Sequence, residues 1–221
     1  MAKPKNQQTL TAISRAAWRL FVKQGYTKTS YDHVAKESGI NKPLVQHYFP
    51  KKELLIFGGI TNLRTVAAHK ASRLVGEGNS NSFKRFYVLG QIYIAALTSN
   101  NQVKKFLLDI LESRSLTSDV IAFDFDWSLS EVSPEQDKLL HRESFLDTNT
   151  ANMGAFYELL FYKLRNDQPY VLSDLIKPAV LSLMEELGWN PQDAKRELDK
   201  QSFTNCLLYT SDAADDLIGV D

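Results

Sequence analysis

The chain has 221 residues, with 26 basic and 26 acidic side chains, so its formal net charge at pH 7 is zero. This length and a hydrophobic content of 43% allow one small and one medium domain with an ample core. Residues 1–8 are polar and basic and lack the apolar segment of a signal peptide. The longest weakly polar run, residues 86–98, is too short to cross a bilayer. We therefore expect a cytoplasmic protein that has no membrane partner.

The charges are unevenly distributed along the chain. Residues 1–55 contain ten basic and three acidic residues, whereas the remainder contains 16 basic and 23 acidic ones. A basic N-terminal part followed by an acidic body is typical of a domain that binds a polyanion such as DNA. The alternative, an ordinary solvated charged face, would mix the two signs along the chain.

The last 16 residues have an unusual sequence. Residues 206–216 resemble a conceptual translation of the transposon-end adapter used in sequencing libraries, and residues 219–221 match the start of the next adapter segment. We therefore expect residues 206–221 to be an artefactual tail, with the natural chain cut off near Asn205. The only cysteine, Cys206, falls in this tail, so the remainder can form neither a disulfide nor a thiolate metal site. Without the tail the body, residues 56–205, has 16 basic and 19 acidic residues.

Apolar residues recur at helical spacing through most of the chain, and sustained two-residue alternation is absent, which predicts an all-α fold. Caps, glycines and prolines divide this pattern into segments. The predicted helices are 9–24, 31–38, 42–49, 52–75, 81–98, 101–114, 134–165, 171–187 and 191–200, with an irregular stretch at 115–133.

Residues 30–49 have the pattern of a helix-turn-helix. Ser30 and Asn41 are predicted N-caps, Gly39 fits the left-handed conformation that ends a helix, and Pro43 lies in a first turn, where a missing N–H costs nothing. The predicted inward residues are Val34, Ala35, Val45 and Phe49. The residues left to face outward or along the rim are Lys42, Leu44, Gln46, His47 and Tyr48. A second helix this short cannot bury itself alone, but it suits the major groove of DNA.

These residues and their neighbours resemble the N-terminal domain of the TetR (tetracycline-repressor-like) family. The resemblance covers residues 9–57 and is carried by Leu20-Phe21, Gly25-Tyr26-Thr27, Thr29, Val34-Ala35, Gly39-Ile40, Tyr48-Phe49 and Lys52-Glu53-Leu54-Leu55. It implies a three-helix DNA-binding domain at residues 1–55 and a helical effector-binding and dimerisation domain at residues 56–205. It also implies a homodimer on a palindromic site in double-stranded DNA, because one recognition helix reads too few base pairs for specificity.

The side chains that we expect to contact DNA fall into two groups. Lys42, Gln46 and His47 are predicted to reach base edges or the groove, with Leu44 touching a thymine methyl and Pro43 beside them. Phosphate contacts are predicted for a second set, in which hydroxyls and basic groups suit anionic oxygen: Thr27, Thr29, Tyr31, Tyr48 and Lys52. For Tyr48, a place at the rim of the core is the alternative.

The resemblance places a dimer interface on the predicted helices 134–165 and 171–187. We expect their apolar surface to carry it, through Phe156, Leu160, Leu164, Val180, Leu183 and Met184.

The resemblance further implies a small-molecule effector bound inside the body, under the helix that follows the DNA-binding domain. The aromatic residues available as lining are Tyr87, Tyr93, Phe106, Phe123, Phe125, Trp127, Phe156 and Tyr157. With few charges nearby, such walls suit a mostly apolar compound. The predicted function is a repressor that this effector, of unknown identity, releases from its operator. In the alternative, the same fold answers to a protein partner and the aromatic residues only fill a core.

Patterns that would indicate an enzyme or a bound cofactor are missing from the sequence. The four histidines show no metal-binding spacing, and the glycine pairs match neither a P-loop nor a dinucleotide fingerprint. Asp124 and Asp126 could hold a hard cation, but two carboxylates alone are weak evidence, and a polar loop is the alternative. We therefore predict no catalytic residues, no metal and no cofactor.

Overall fold

The computed structural model describes residues 6–76, 82–130, 142–186 and 188–199, and for residues 82–83, 125–130 and 142 it describes the backbone alone. Within these ranges the chain forms helices and no strand, which confirms the predicted all-α fold. The tail predicted at 206–221 and the helix start predicted at Pro134 lie outside them. The helices are α1 (Gln7–Gln24), α2 (Tyr31–Ser38), α3 (Lys42–Tyr48), α4 (Glu53–Val75), α5 (Ser82–Leu97), α6 (Asn101–Leu111), α7 (Arg114–Ser130), α8 (Arg142–Arg165), α9 (Leu172–Glu186) and α10 (Pro191–Asp199).

The three N-terminal helices, which we call the head, are bounded by the local signals predicted from the sequence. The Ser30 hydroxyl accepts a hydrogen bond from the His33 N–H, and the Asn41 side chain accepts one from Leu44 N–H. Gly39 adopts φ 69°, a left-handed conformation that a glycine accepts without strain. Together these features make the tight turn between α2 and α3.

Helix α4 is shared between the head and the body. Its first turns pack on α1, and along its length it packs on α5 and contacts α7. In the body, α5 packs against α4, α9 and α10, while α8 packs against α6, α7 and α9. One continuous apolar core runs through both parts, so the head is not an isolated unit. None of the described helices is long and apolar enough to cross a membrane.

The irregular stretch predicted at residues 115–133 is wrong as far as the structure describes it, because residues 114–130 form helix α7. Ser113 lies just before this helix, and its hydroxyl accepts a hydrogen bond from Leu116 N–H. Leu116, Val120 and Asp124 are four residues apart and buried, so they occupy one face. Buried Asp124 made this face look polar in the sequence, and the helical period was missed.

The crossing of α1 and α4 depends on two adjacent glycines. A Cβ atom placed on Gly59 would lie 2.1 Å from Cε3 of Trp18, and one on Gly58 would lie 2.4 Å from the Ser14 hydroxyl oxygen. Both distances are far below van der Waals contact, and Trp18 is buried. The two helices therefore approach closely only because α4 has no side chain at these positions.

We expect Gly59→Ala to lower the free energy of unfolding by about 1–3 kcal/mol, because the added methyl group overpacks the contact with Trp18. Gly154→Ala in α8 is the matched control, since nothing lies within 4 Å of a Cβ atom there. That change should leave stability unchanged or raise it by about 0.5–1 kcal/mol through better helix propensity. Denaturant unfolding measures both variants, and equal effects would contradict the close crossing.

Candidate nucleic-acid interface and effector pocket

Helix α3 presents one exposed face and one buried face. Val45 is fully buried and anchors the helix, together with Phe49, to the core of the head. The predicted base-reading residues are all exposed, including Leu44, which is 37% exposed despite its apolar side chain. The exposed face of α3 therefore carries Lys42, Pro43, Leu44, Gln46 and His47.

Lys42 forms a surface ion pair across the turn of the helix-turn-helix. Its Nζ lies 2.8 Å from a carboxylate oxygen of Asp32 at the start of α2. Both side chains are largely exposed, so the pair is weak and a DNA phosphate or base edge could replace Asp32.

Three predicted phosphate contacts differ in whether their side chains already bond to the protein: Thr27, Tyr31 and Lys52. Thr27 is exposed. The Tyr31 hydroxyl donates a hydrogen bond to the Phe49 carbonyl at 2.7 Å, and Lys52 Nζ donates one to the Tyr26 carbonyl at 2.7 Å. Lys52 also lies 4.0 Å from the centre of the Tyr26 ring, and its partial burial lowers the Lys52 pKa. Tyr31 therefore ties the start of α2 to the end of α3, and Lys52 ties the start of α4 to the loop between α1 and α2.

The structure does not support phosphate contacts by Thr29 and Tyr48. The Thr29 side chain is 2% exposed, and its hydroxyl donates a hydrogen bond to the Gly25 carbonyl at 2.9 Å. Tyr48 is 8% exposed, and its hydroxyl oxygen accepts a hydrogen bond from Asn6 N–H at 2.8 Å. Tyr48 thus takes the core-rim place that the sequence left as an alternative. These two residues hold the head together rather than face outward.

Two basic residues that the sequence analysis overlooked are exposed in this region. Lys28 follows Thr27 and Lys51 precedes Lys52, and neither side chain is buried. Their positive charge beside predicted phosphate contacts was the signal that could have identified them. Gln24 was also missed: its amide donates hydrogen bonds to the Lys28 carbonyl and the Thr29 hydroxyl, each at 3.2 Å, and so shapes this loop.

The body contains a small apolar pocket between α4, α5, α8 and α9, with a volume of about 70 Å³. Three of the residues predicted to line an effector site meet there, namely Tyr93, Phe156 and Tyr157. Residues that the sequence did not single out complete much of the wall. They include Phe86, Leu89, Gly90, Met153 and Ile176.

The other predicted lining residues lie elsewhere. Tyr87 is buried near Ser173 and Lys177 of α9. Phe106 stacks on Phe21 and meets Trp18 edge-on, with ring centres 5.5 and 5.3 Å apart, at the junction of head and body. The void that it helps to line is only about 10 Å³.

Phe123 on α7 also lies outside the pocket lining. Its ring is 5.1 Å from that of Phe57, between centroids. Helical spacing could not separate residues that face the pocket from residues that fill the core around it. The side chains of Phe125 and Trp127 lie outside the described part of the chain.

The expectation of few charges near this pocket is wrong, because a buried ion pair forms part of its wall. The Arg64 guanidinium of α4 pairs with the Asp124 carboxylate of α7, and the two residues are 3% and 5% exposed. The Tyr157 hydroxyl of α8 donates a hydrogen bond to the same carboxylate at 2.5 Å. Burial raises the pKa of Tyr157 well above its usual value, so it remains a donor at neutral pH.

This arrangement also decides between the two interpretations of Asp124. Asp124 is neither a free cation ligand nor part of a polar loop, since it lies within α7 and is engaged with Arg64. Among the side chains that the structure describes, no group of three His, Cys, Asp or Glu residues could hold a metal ion.

The apolar residues predicted to form a dimer interface are mostly internal. Phe156, Leu160, Val180, Leu183 and Met184 are buried in the core of a single chain, and Leu164 is half-buried. Their periodicity reflected intrachain packing of α8 on α9. The large exposed apolar residues of this region are instead Leu146, Leu159, Tyr162 and Val171.

Comparison with known proteins gives one assignment. Residues 13–57, from the middle of α1 to the first turns of α4, match the family model of bacterial regulatory proteins of the tetR family. No curated protein sequence matches the chain at a significant level.

Two solved structures are similar in their helical arrangement. One is the fatty acid degradation regulator FadR of Bacillus halodurans, with 16% identity, coverage of 84% of this chain and 97% of that chain, and a TM-score of 0.48. The other is a Clostridium perfringens protein named as a fatty acid metabolism regulator, with 15% identity, coverage of 81% and 100%, and a TM-score of 0.41. Neither likeness is strong enough to carry an assignment. The family match and the helix-turn-helix geometry together identify residues 13–57 as a DNA-binding domain of the tetR family of bacterial regulatory proteins.

Proposed function

We propose that this protein is a repressor that leaves its operator when a small, mostly apolar effector occupies the body pocket. The observation that carries the DNA-binding part is the exposed face of α3, which presents polar groups and one apolar side chain on a helix anchored by buried Val45. A short, rigid and well-capped helix of this kind suits the major groove. The basic excess of residues 1–55 supplies the sequence-independent attraction to phosphate.

Gln46 is the residue that we expect to read a base. Its exposed amide can both donate and accept, as a bidentate contact to adenine requires. Thr27 is equally exposed, but its single hydroxyl precedes the N-terminus of α2, so we assign it to phosphate.

We expect Gln46→Ala to weaken binding to the cognate operator by about 1–3 kcal/mol and to leave binding to random DNA almost unchanged. Thr27→Ala is the matched control, because loss of a phosphate contact should weaken both complexes equally. Titrations of both DNAs at one fixed salt concentration measure the effect. Equal losses for Gln46→Ala on the two DNAs would show that this side chain does not read bases.

The body pocket supports an effector-controlled mechanism because its wall includes α4, the helix that joins the head to the body. Arg64 fastens α4 to α7 and α8 through Asp124 and Tyr157. At about 70 Å³ the pocket is below the size of typical ligand sites, so an effector must widen it. Widening would disturb the Arg64 contacts and shift α4, which changes the spacing of the two heads in a dimer. A coupling free energy of about 1–3 kcal/mol is enough for such a response.

Removing one member of the buried ion pair should be much more damaging than removing both. We expect Asp124→Asn to destabilise the fold by about 3–5 kcal/mol, because Arg64 keeps its charge in a dry environment. The double variant R64L/D124L should recover most of this loss. Lys177→Met, which breaks the more exposed pair with Asp199, is the control and should change stability far less than Asp124→Asn does.

The same double variant tests the coupling. It should still bind operator DNA, but a panel of apolar compounds that releases the wild-type complex should have at least a tenfold weaker effect. An unchanged effector response in R64L/D124L would contradict a role of the ion pair in coupling.

The alternative function is a DNA-binding protein of the same fold that answers to a protein partner. The small volume of the body pocket favours it. If apolar compounds bind the body and leave the affinity for DNA unchanged, this alternative is the better description.

We also propose a homodimer that binds a palindromic operator, with α8 and α9 at its interface. The supporting observation is that Leu159 and Tyr162, three residues apart on α8, are 44% and 51% exposed. Exposed apolar residues on one helix face suit a two-fold contact with a second copy of the chain.

Sedimentation should give a dimer for the wild type and a monomer for Leu159→Glu, because the introduced carboxylate would be buried in the proposed apolar interface. Leu74→Glu on α4 is the control, since Leu74 is 43% exposed and lies outside the proposed interface. A dimer that withstands Leu159→Glu would place the interface elsewhere.

A further inference from the structure

A cavity larger than the body pocket lies between α1 and α4, away from that pocket. Its volume is about 320 Å³, against about 70 Å³ for the pocket in the body. One wall belongs to the head and includes Thr11, Ser14 and Arg15, and the opposite wall belongs to α4 and includes Gly58 and Asn62.

The cavity exists because of the sequence of α4. Gly58 and Gly59 have no side chains, so the backbone of α4 itself forms part of the wall. Trp18 closes one side, and its indole occupies the space that a side chain at position 59 would need. The same glycines that allow α1 and α4 to cross therefore also keep the space beside the crossing open.

A buried hydroxyl in the wall lacks a partner. Ser14 is 5% exposed, and its Oγ has no hydrogen-bond partner within the part of the chain that the structure describes. A buried hydroxyl left without a partner costs free energy, and such groups generally find a protein, water or ligand partner. Ser14 lines the cavity, so an occupant that reaches its hydroxyl, whether water or a ligand, would supply the missing partner.

The rest of the lining defines the chemistry of that molecule. Trp18, Leu10 and Leu63 provide apolar surface on which a hydrocarbon or aromatic group can pack. Arg15 provides an exposed guanidinium at the rim, and Asn62 provides an amide. This combination fits a compact molecule with an apolar body and a carboxylate, which Arg15 binds while the apolar part lies on Trp18.

We propose that the cavity between α1 and α4 is a second ligand site, specific for small amphipathic carboxylates and distinct from the body pocket. An occupant touches the head on one side and the connecting helix on the other. Its binding therefore restrains the position of the head, independently of any effector in the body.

The test uses the full chain labelled with 5-fluorotryptophan and the probe 4-phenylbutyrate. The chain has three tryptophans, and the ¹⁹F resonance of Trp18 is assigned by Trp18→Phe. We expect a saturable shift of the Trp18 resonance with half-saturation at about 1 mM. The neutral analogue 4-phenylbutanamide should bind at least fivefold more weakly, and Arg15→Gln should remove this difference.

Thr65→Phe serves to block the cavity. Thr65 is exposed on α4 and lines the cavity, so the phenyl ring can fill it without entering the core. His69→Phe, one turn further along α4 and also exposed, is the matched control outside the lining. We expect the probe to lose its effect on Trp18 in Thr65→Phe and to keep it in His69→Phe.

Three results would overturn the proposal. These are no saturable shift of Trp18 in the wild type, an unchanged shift in Thr65→Phe, or a shift confined to the other two tryptophans. The measurement needs no DNA, so it leaves the proposed repressor function untouched whichever result is found.

Discussion

The contact between Trp18 and Gly59 is the constraint on which the arrangement of head and body depends. A Cβ atom at position 59 would lie 2.1 Å from the indole, so α1 reaches its place on α4 only because Gly59 has no side chain. Phe106 of α6 then packs edge-on against the same indole, with ring centres 5.3 Å apart. One buried tryptophan thus links the first helix of the head, the connecting helix and the body.

Helix α4 is held at a second point by Arg64, five residues after Gly59. At a rise of about 1.5 Å per residue, the two points are about 7.5 Å apart along the helix axis. The first contact is apolar and depends on close packing, whereas the second is a buried ion pair with Asp124. A ligand bound at either point would contact α4 directly, and the cavity between α1 and α4 and the body pocket adjoin these two points.

The helix-turn-helix was predictable because its signals are local. Ser30, Gly39 and Asn41 act within three or four residues, and each takes the predicted cap or turn geometry. The family resemblance stated on the same residues is confirmed by the match over residues 13–57. Exposure of individual side chains was less predictable. Tyr48 is buried, and its hydroxyl accepts a hydrogen bond from the backbone N–H of Asn6, 42 residues away, a contact that no local pattern contains.

The body was predictable as a set of helices but less so as a site. Leu160 on α8 and Val180 on α9 each belong to a series of apolar residues at helical spacing. That spacing is the same whether a residue faces its own core or a second chain. The ion pair joins residues 64 and 124, so neither residue alone indicates it, and buried Asp124 concealed the helical period of α7. The predicted dimer surface and the predicted pocket lining were therefore wrong in part for the same reason. Both depend on contacts between residues far apart in the sequence.

Selection of binding sites from a pool of random double-stranded DNA by the full-length protein tests the central claim most directly. The account predicts enrichment of one palindromic sequence, with two half-sites related by two-fold symmetry and separated by a whole number of helical turns. Retention of DNA without enrichment of any sequence, or enrichment of a single unrepeated half-site, would contradict it.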